Sequence, residues 1–188
     1  MKFIMKVGTK SILWGVHAFW FHPFTVILAW IELYGIPNWR ELVCIFIHDI
    51  GYWGKPNMDG KEGEHHPEWA ASWAKNWLDK NDSPWMLTDD YWIYYNLCLL
   101  HSRTCAKRYG AEPSKLCWAD KLSCKYDPWW FYLPRAILSG EIKEYRQRSA
   151  EFGAIPLTAS HLDWYKWGIA RSIRAGYSQN ISPAYEAE

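Results

Sequence analysis

The chain has 188 residues, is 18% aromatic with 15 Trp, and balances 21 basic against 20 acidic side chains. With 49% hydrophobic residues and a net charge of +1, it carries too much apolar surface and too little self-repulsion to be disordered. The even charge balance gives no basic footprint for a nucleic-acid polymer, although a local cluster of cations could hold a small phosphorylated ligand.

Taken in chain order, the pattern is that of one all-α domain. The stretch Ser11–Ile31 carries no formal charge and matches the roughly 20 residues that a helix needs to span a bilayer. His17, His22 and Pro23 interrupt it and Glu32 follows at once, so two buried helical stretches broken at Pro23 are expected instead of a membrane span. No small-residue cleavage site follows the apolar run, so a signal peptide is not expected either. Asn38 with Glu41 three residues on reads as a capping box ahead of a helix over Trp39–His48. Between His48 and His66 lies a loop rich in glycine and charge, GYWGKPNMDGKEGE; long loops inside a compact domain are usually functional or disordered.

Trp69, Trp73 and Trp77 fall on one face of a helix over Pro67–Asp79, a face expected to be core. Ser83-Pro84 reads as an N-cap followed by proline in the first turn, and Thr88 with Asp89 and Asp90 opens the next helix. That helix ends at His101, with Ile93, Leu97 and Leu100 as its inward stripe. Further helices are expected over Pro113–Cys124, Glu141–Glu151 and Ser160–Tyr177. The five Cys form no CxxC pair, which suits reduced, packed thiols in a cytoplasm.

Chemistry is signalled by polar residues set in apolar faces. His48-Asp49 closes the apolar helix LVCIFIHDIG, where an ionised Asp is costly unless it is paired, hydrogen-bonded or bound to a metal. His22 opens HPFTVILAW, with Val26 and Ala29 on its face, and His66 opens HPEWAASWA beside Trp69, Ala70 and Trp73. His101 ends YWIYYNLCLLHSR, and Asp120 sits in LCWADKLS beside Ala119. Each has an ordinary explanation alone. Together, on separate helices, they can converge on one centre, and imidazole with carboxylate suits Mn, Fe, Co, Ni or Zn better than Ca.

The order His, His-Asp, His, His, Asp resembles the HD superfamily of metal-dependent phosphohydrolases, in its two-metal form. The matching phrases are HPFTV from His22, HDIG from His48, HPEWAA from His66, HSR from His101 and ADK around Asp120. The resemblance implies a helical bundle over residues 1–188, with the metal site between helices in a core of about residues 15–125. The helical part over 126–188 would cap the pocket or form a dimer face. It implies two divalent transition-metal ions bridged by Asp49, with His22, His48 and Asp120 completing one site and His66 and His101 the other. It further implies hydrolysis of a nucleotide phosphate ester, monoester or cyclic or linear diester, by a metal-activated hydroxide.

Two-metal members often carry Lys directly after HDIG, where it meets the phosphate; here Tyr52 stands there. Lys55, Arg103, Lys107, Arg108 or Lys121 could replace it, with Arg103 the preferred clamp and Lys121 the second. Tyr52 and Trp53 are the candidates for stacking a base. Two positions have neighbouring alternatives, His17 for His22 and His65 for His66. His22 is preferred for its H-x-x-x-V phrase and His66 because Pro follows it. His161 lies outside the pattern. The alternatives are a di-iron oxygenase on the same fold, which Tyr52 in place of Lys keeps open, and a non-catalytic nucleotide-binding module.

Overall fold

The computed structural model describes residues 5–79 and 92–179. Among them every regular element is helical, and there is no strand: the fold is all-α. The ten α-helices are α1 (Val7–Trp14), α2 (His22–Tyr34), α3 (Trp39–Ile47), α4 (His66–Ala74), α5 (Ile93–Leu99), α6 (Arg103–Arg108), α7 (Lys115–Ser123), α8 (Trp129–Ser139), α9 (Glu141–Glu151) and α10 (His161–Ser178). The starts expected at Ser83-Pro84 and at Thr88 with Asp89 and Asp90 lie outside the described residues. No helix among the described residues is long and apolar enough to cross a membrane.

Local chemistry accounts for several boundaries. Asn38 Oδ1 accepts from the backbone N–H groups of Arg40 (2.9 Å) and Glu41 (3.0 Å), and Glu41 Oε2 accepts from the Asn38 N–H (2.7 Å). This is the reciprocal capping box expected for α3. Ser160 Oγ accepts from the Asp163 N–H at 3.1 Å and starts α10. Pro23 does not break a helix; it stands in the first turn of α2, where its missing N–H costs nothing. The break falls earlier, over residues 15–21, and His22 is therefore the first residue of its helix.

The core cluster joins α2, α3, α4, α5 and α7 through Val26, Trp30, Ile45, Ala70, Leu97 and Leu116, among others. A second cluster unites α8, α9 and α10 around Leu133, Ala136, Ile142, Trp164 and Tyr165. α4 packs on α5, and α7 packs on both α2 and α10. All five cysteines are free thiols.

The aromatic excess is distributed differently from expectation. On α4 the inward face is His66, Ala70 and Ala74, small residues that let α5 approach closely. The Trp stripe is rotated off that face: Trp73 packs at the core edge, while Trp69 and Trp77 are exposed. Trp30 and Trp118 are buried, but Trp53 is exposed. On α5 the buried side is Tyr94, Leu97 and Cys98, and Ile93 faces solvent. Two helices absent from the sequence reading, α6 and α8, complete the bundle; α8 holds Pro134 in its interior.

Candidate metal centre

Five elements deliver six side chains to one point. His22 is the first residue of α2, His48 directly follows α3, and Asp49 leads into a 3₁₀ turn over Ile50–Tyr52. His66 opens α4, His101 follows α5, and Asp120 lies on α7. Gly51 makes the approach of two of these elements feasible, because a Cβ there would lie 1.9 Å from the His66 carbonyl oxygen. The glycine of the HDIG phrase is thus required by backbone contact with the start of α4.

The carboxylate of Asp49 lies between two sets of imidazoles. Its Oδ2 is 3.0 Å from His48 Nε2 and 3.2 Å from His22 Nε2. Its Oδ1 is 3.5 Å from His66 Nε2 and 3.6 Å from His101 Nε2. Asp120 Oδ1 joins the first set, 3.2 Å from His22 Nε2 and 4.0 Å from His48 Nε2. The result is two groups with a common member, His22–His48–Asp49–Asp120 and Asp49–His66–His101, each with its ligand atoms within 4.8 Å of one another. Either could hold a metal ion.

Tautomers sharpen that point. His48 Nδ1 donates to the Ile45 carbonyl (2.7 Å), His66 Nδ1 to that of Gly63 (2.8 Å) and His101 Nδ1 to that of Cys98 (2.5 Å). A carbonyl only accepts, so Nδ1 carries the proton and Nε2 of the neutral ring presents a lone pair to the centre. His66 Nε2 and His101 Nε2 stand 3.0 Å apart, lone pair toward lone pair, and both face a carboxylate. His22 Nε2, His48 Nε2 and Asp49 Oδ2 are buried and lack a hydrogen-bond partner. Acceptors converging on acceptors in a buried site fit a cation.

The electrostatics agree. Burial raises the Asp49 carboxyl pKa, but the imidazoles of His48, His17, His101 and His22 outweigh it and hold the group well below the usual carboxylate range. Burial opposes charge on His22, yet the carboxylates of Asp120 and Asp49, each 3.2 Å from its Nε2, prevail and lift it to about 9. Burial, aided by His101, pushes His66 well down, leaving its ring neutral.

The sequence matches no protein-family model, and no curated protein or solved structure gives a match to the chain.

The cluster forms one end of a cavity of about 600 Å³. Of the expected ligand contacts, Tyr52, Arg103 and Lys121 line it, while Lys55 and Trp53 do not. Trp53 points into a separate apolar depression with Leu13, Phe19 and Trp20. The backbone of Lys55 is turned to α1, its carbonyl accepting the Gly8 N–H at 3.0 Å. Tyr52 is buried and its ring lies flat on His66, centroids 3.8 Å apart, so it braces a proposed ligand and has no free face for a base on that side. Lys121 Nζ donates to Asp120 Oδ2 at 2.7 Å and so orients that carboxylate. Arg108 lies near Glu64 (3.8 Å) and Glu68 (3.7 Å), outside the cavity wall, whereas Lys107 lines it.

The neighbouring histidines separate cleanly. His65 bonds Glu68 at 2.6 Å away from the cluster, and His161 lies against Arg146. His17 lines the cavity but belongs to neither group; its Nδ1 is 3.0 Å from Glu141 Oε1. Glu141 is fully buried and also accepts from Ser11 Oγ (2.5 Å), the Val16 N–H (2.9 Å), Tyr145 Oη (3.2 Å) and Ser139 Oγ. In sequence it reads as an ordinary acid in a helix first turn, and nothing local marks it as buried. Replacing His22 by alanine is expected to cut bound metal, measured by plasma emission after dialysis, to well under half of the wild-type value. His17→Ala should leave it unchanged. Equal losses would remove the distinction between the two rings.

Proposed function

We propose that the protein is a metal-dependent phosphohydrolase that cleaves a phosphate ester of a nucleotide. The observation that carries the reading is the shared Asp49: one carboxylate faces two imidazole sets through different oxygens, with the ring lone pairs turned inward. His22, His48, Asp49 and Asp120 would hold one divalent ion, and Asp49, His66 and His101 a second. Paired ions of this kind supply a nucleophile at neutral pH and offset charge on the phosphoryl oxygens.

The chain's own residues do the rest. Asp49 fixes the spacing of the two sets, and Lys121 holds Asp120 in orientation. Arg103, half-buried in the wall two residues beyond His101, presents a guanidinium that pairs phosphate oxygens bidentately. Tyr145 from α9, Phe152 just beyond it, and Trp164 and Trp167 from α10 add aromatic wall to the same cavity. The region after residue 125 contributes wall to the cavity.

The test is phosphate release from a panel of nucleotide monoesters and diesters with Mn²⁺, Fe²⁺, Co²⁺, Ni²⁺ or Zn²⁺. Metal-dependent release that is lost with chelator is the expected result. Oxygen consumption by the iron-loaded protein without phosphate release would overturn it in favour of oxygenase chemistry. Arg103→Ala should weaken phosphate binding or turnover by about 10–100-fold, the range for a charge-assisted hydrogen bond of roughly 1.5–3 kcal/mol, with metal content unchanged. A parallel fall in metal would make Arg103 a support of the cluster instead.

A further inference from the structure

Helix α10 contains two glycines with different surroundings. At Gly176 a Cβ would lie 2.8 Å from Leu122 Cβ, so close packing on α7 explains the residue. At Gly168 a Cβ would meet nothing within 4 Å. Glycine is the poorest helix former after proline, and no neighbour, turn or positive φ requires it in the middle of this 18-residue helix. Gly168 does, however, line the same cavity as the His/Asp cluster.

Its neighbours on that face are chemically specific. One turn before it is Trp164 and nearly one turn after it is Arg171, and both also line the cavity. Trp164 is held rigidly: its Nε1–H donates to Ser149 Oγ at 3.0 Å, and its ring lies within 7° of parallel to Tyr145. Arg171 carries its guanidinium 5.9 Å from the Trp167 ring. The bare backbone at Gly168 therefore leaves a notch of open space in the cavity wall, with Trp164 one turn before it and Arg171 nearly one turn after it. Both stack on planar rings. α10 packs along α7, which carries Asp120, so notch and cluster open into one space of about 600 Å³. That volume is in the range of small-molecule sites.

We infer that the notch at Gly168, between Trp164 and Arg171, is the binding site for the base of a nucleotide whose phosphate lies at the His/Asp cluster. This rests on the phosphohydrolase reading and adds to it the part of the protein that selects the ligand. The base wall is thereby assigned to Trp164 and Arg171 on α10 and not to Tyr52, which covers His66, or Trp53, which lies outside the cavity lining.

The experiment uses Mn²⁺-loaded protein and probes that cannot be hydrolysed. Calorimetry would compare methylphosphonate with the 5′-methylenephosphonates of adenosine, guanosine, cytidine and uridine, and with the free nucleosides. At least one nucleoside phosphonate should bind tenfold or more tighter than methylphosphonate. Gly168→Leu, whose Cβ meets nothing within 4 Å and whose branched end would occupy the notch, should abolish that advantage. Its metal content and methylphosphonate affinity should stay unchanged, and its melting temperature should not fall. Equal affinities across the phosphonates in the wild type, or an undiminished advantage in Gly168→Leu, would overturn the inference. If methylphosphonate does not bind but a nucleoside does, in a Gly168-dependent way, the phosphate reading fails and the base site stands. If neither binds, both are wrong.

Discussion

Asp49→Ala is expected to abolish metal binding at both groups of the candidate centre while leaving the helices in place. The side chain forms no cap hydrogen bond on the turn it precedes, so far-UV circular dichroism should be unchanged. What it removes is the anion common to four imidazoles, two facing each oxygen. Residues that only support a ligand typically contribute 10–100-fold in metal affinity. Loss of a shared ligand should therefore exceed about a hundredfold.

The readout need not be catalytic. A metal at 100 times its Kd stabilises the folded state by about 2.7 kcal/mol, and for a chain of this length each kcal/mol corresponds to roughly 2–4 °C. Adding metal to the wild-type protein should thus raise its melting temperature by roughly 5–11 °C. Asp49→Ala should show no such rise, and its metal content after dialysis should be under about a tenth of wild type. Asp49→Asn preserves the shape and removes the charge, so it should resemble alanine. A full thermal shift in either variant would refute the centre.

The convergence of the His/Asp cluster is legible in sequence because burying a carboxylate or an imidazole in an apolar face is costly, and the anomaly shows in the residues themselves. His22 above Val26 and Ala29, and Asp120 beside Ala119, carry that signal without any knowledge of the fold. The start of α3 was equally readable, since a capping box is a local exchange of hydrogen bonds between Asn38 and Glu41. What periodicity could not decide was which of two adjacent faces of α4 turns inward. His66–Ala70–Ala74 and Trp69–Trp73–Trp77 have the same spacing, and the hydrophobic bulk of tryptophan pointed to the wrong one. The close approach of α5, which alanine permits and tryptophan forbids, is a tertiary fact.

Helix α8 escaped for a local reason. Pro134 inside it removes a backbone donor and ordinarily marks a helix end. The role of α10 was hidden differently. Its glycine, tryptophan and arginine match no motif, and what they share is a place on the wall of the cavity that Asp49, His66, His101 and Asp120 also line.

Glu141→Ala should be the most destabilising single substitution outside the cluster. The carboxylate at the start of α9 gathers Ser11 from α1, the Val16 N–H and His17 from the segment before α2, and Ser139 from the end of α8. Gly15 admits it, because a Cβ there would stand 2.4 Å from Glu141 Oε2. From the other side Arg135 donates to the Gly15 carbonyl (2.9 Å) and is itself paired with Asp127. The short segment that aims His22 is thus held by a buried acid on its donors and a buried base on its acceptors. Removing one member of a buried charged network typically costs about 3–5 kcal/mol, or roughly 6–20 °C of melting temperature at this chain length.

The pH dependence follows from the same contacts. Burial raises the Glu141 pKa, but hydrogen bonds from His17, Ser11 and Ser139 outweigh it and hold the group below its ordinary 4.5. A depressed carboxylate contributes stability above the unfolded-state pKa and loses it as pH falls through the folded one. In urea titrations that part of the wild-type stability should be constant above about pH 5 and decline in acid below about pH 4.5. Glu141→Gln, which places an amide donor among donors, should be less stable at neutral pH and lack that part of the acid decline. Its metal affinity should also fall, because the segment leading into His22 loses its anchor. Stability of Glu141→Ala within about 1 kcal/mol of wild type would show that Arg135 and the packing of α8 hold the segment without it.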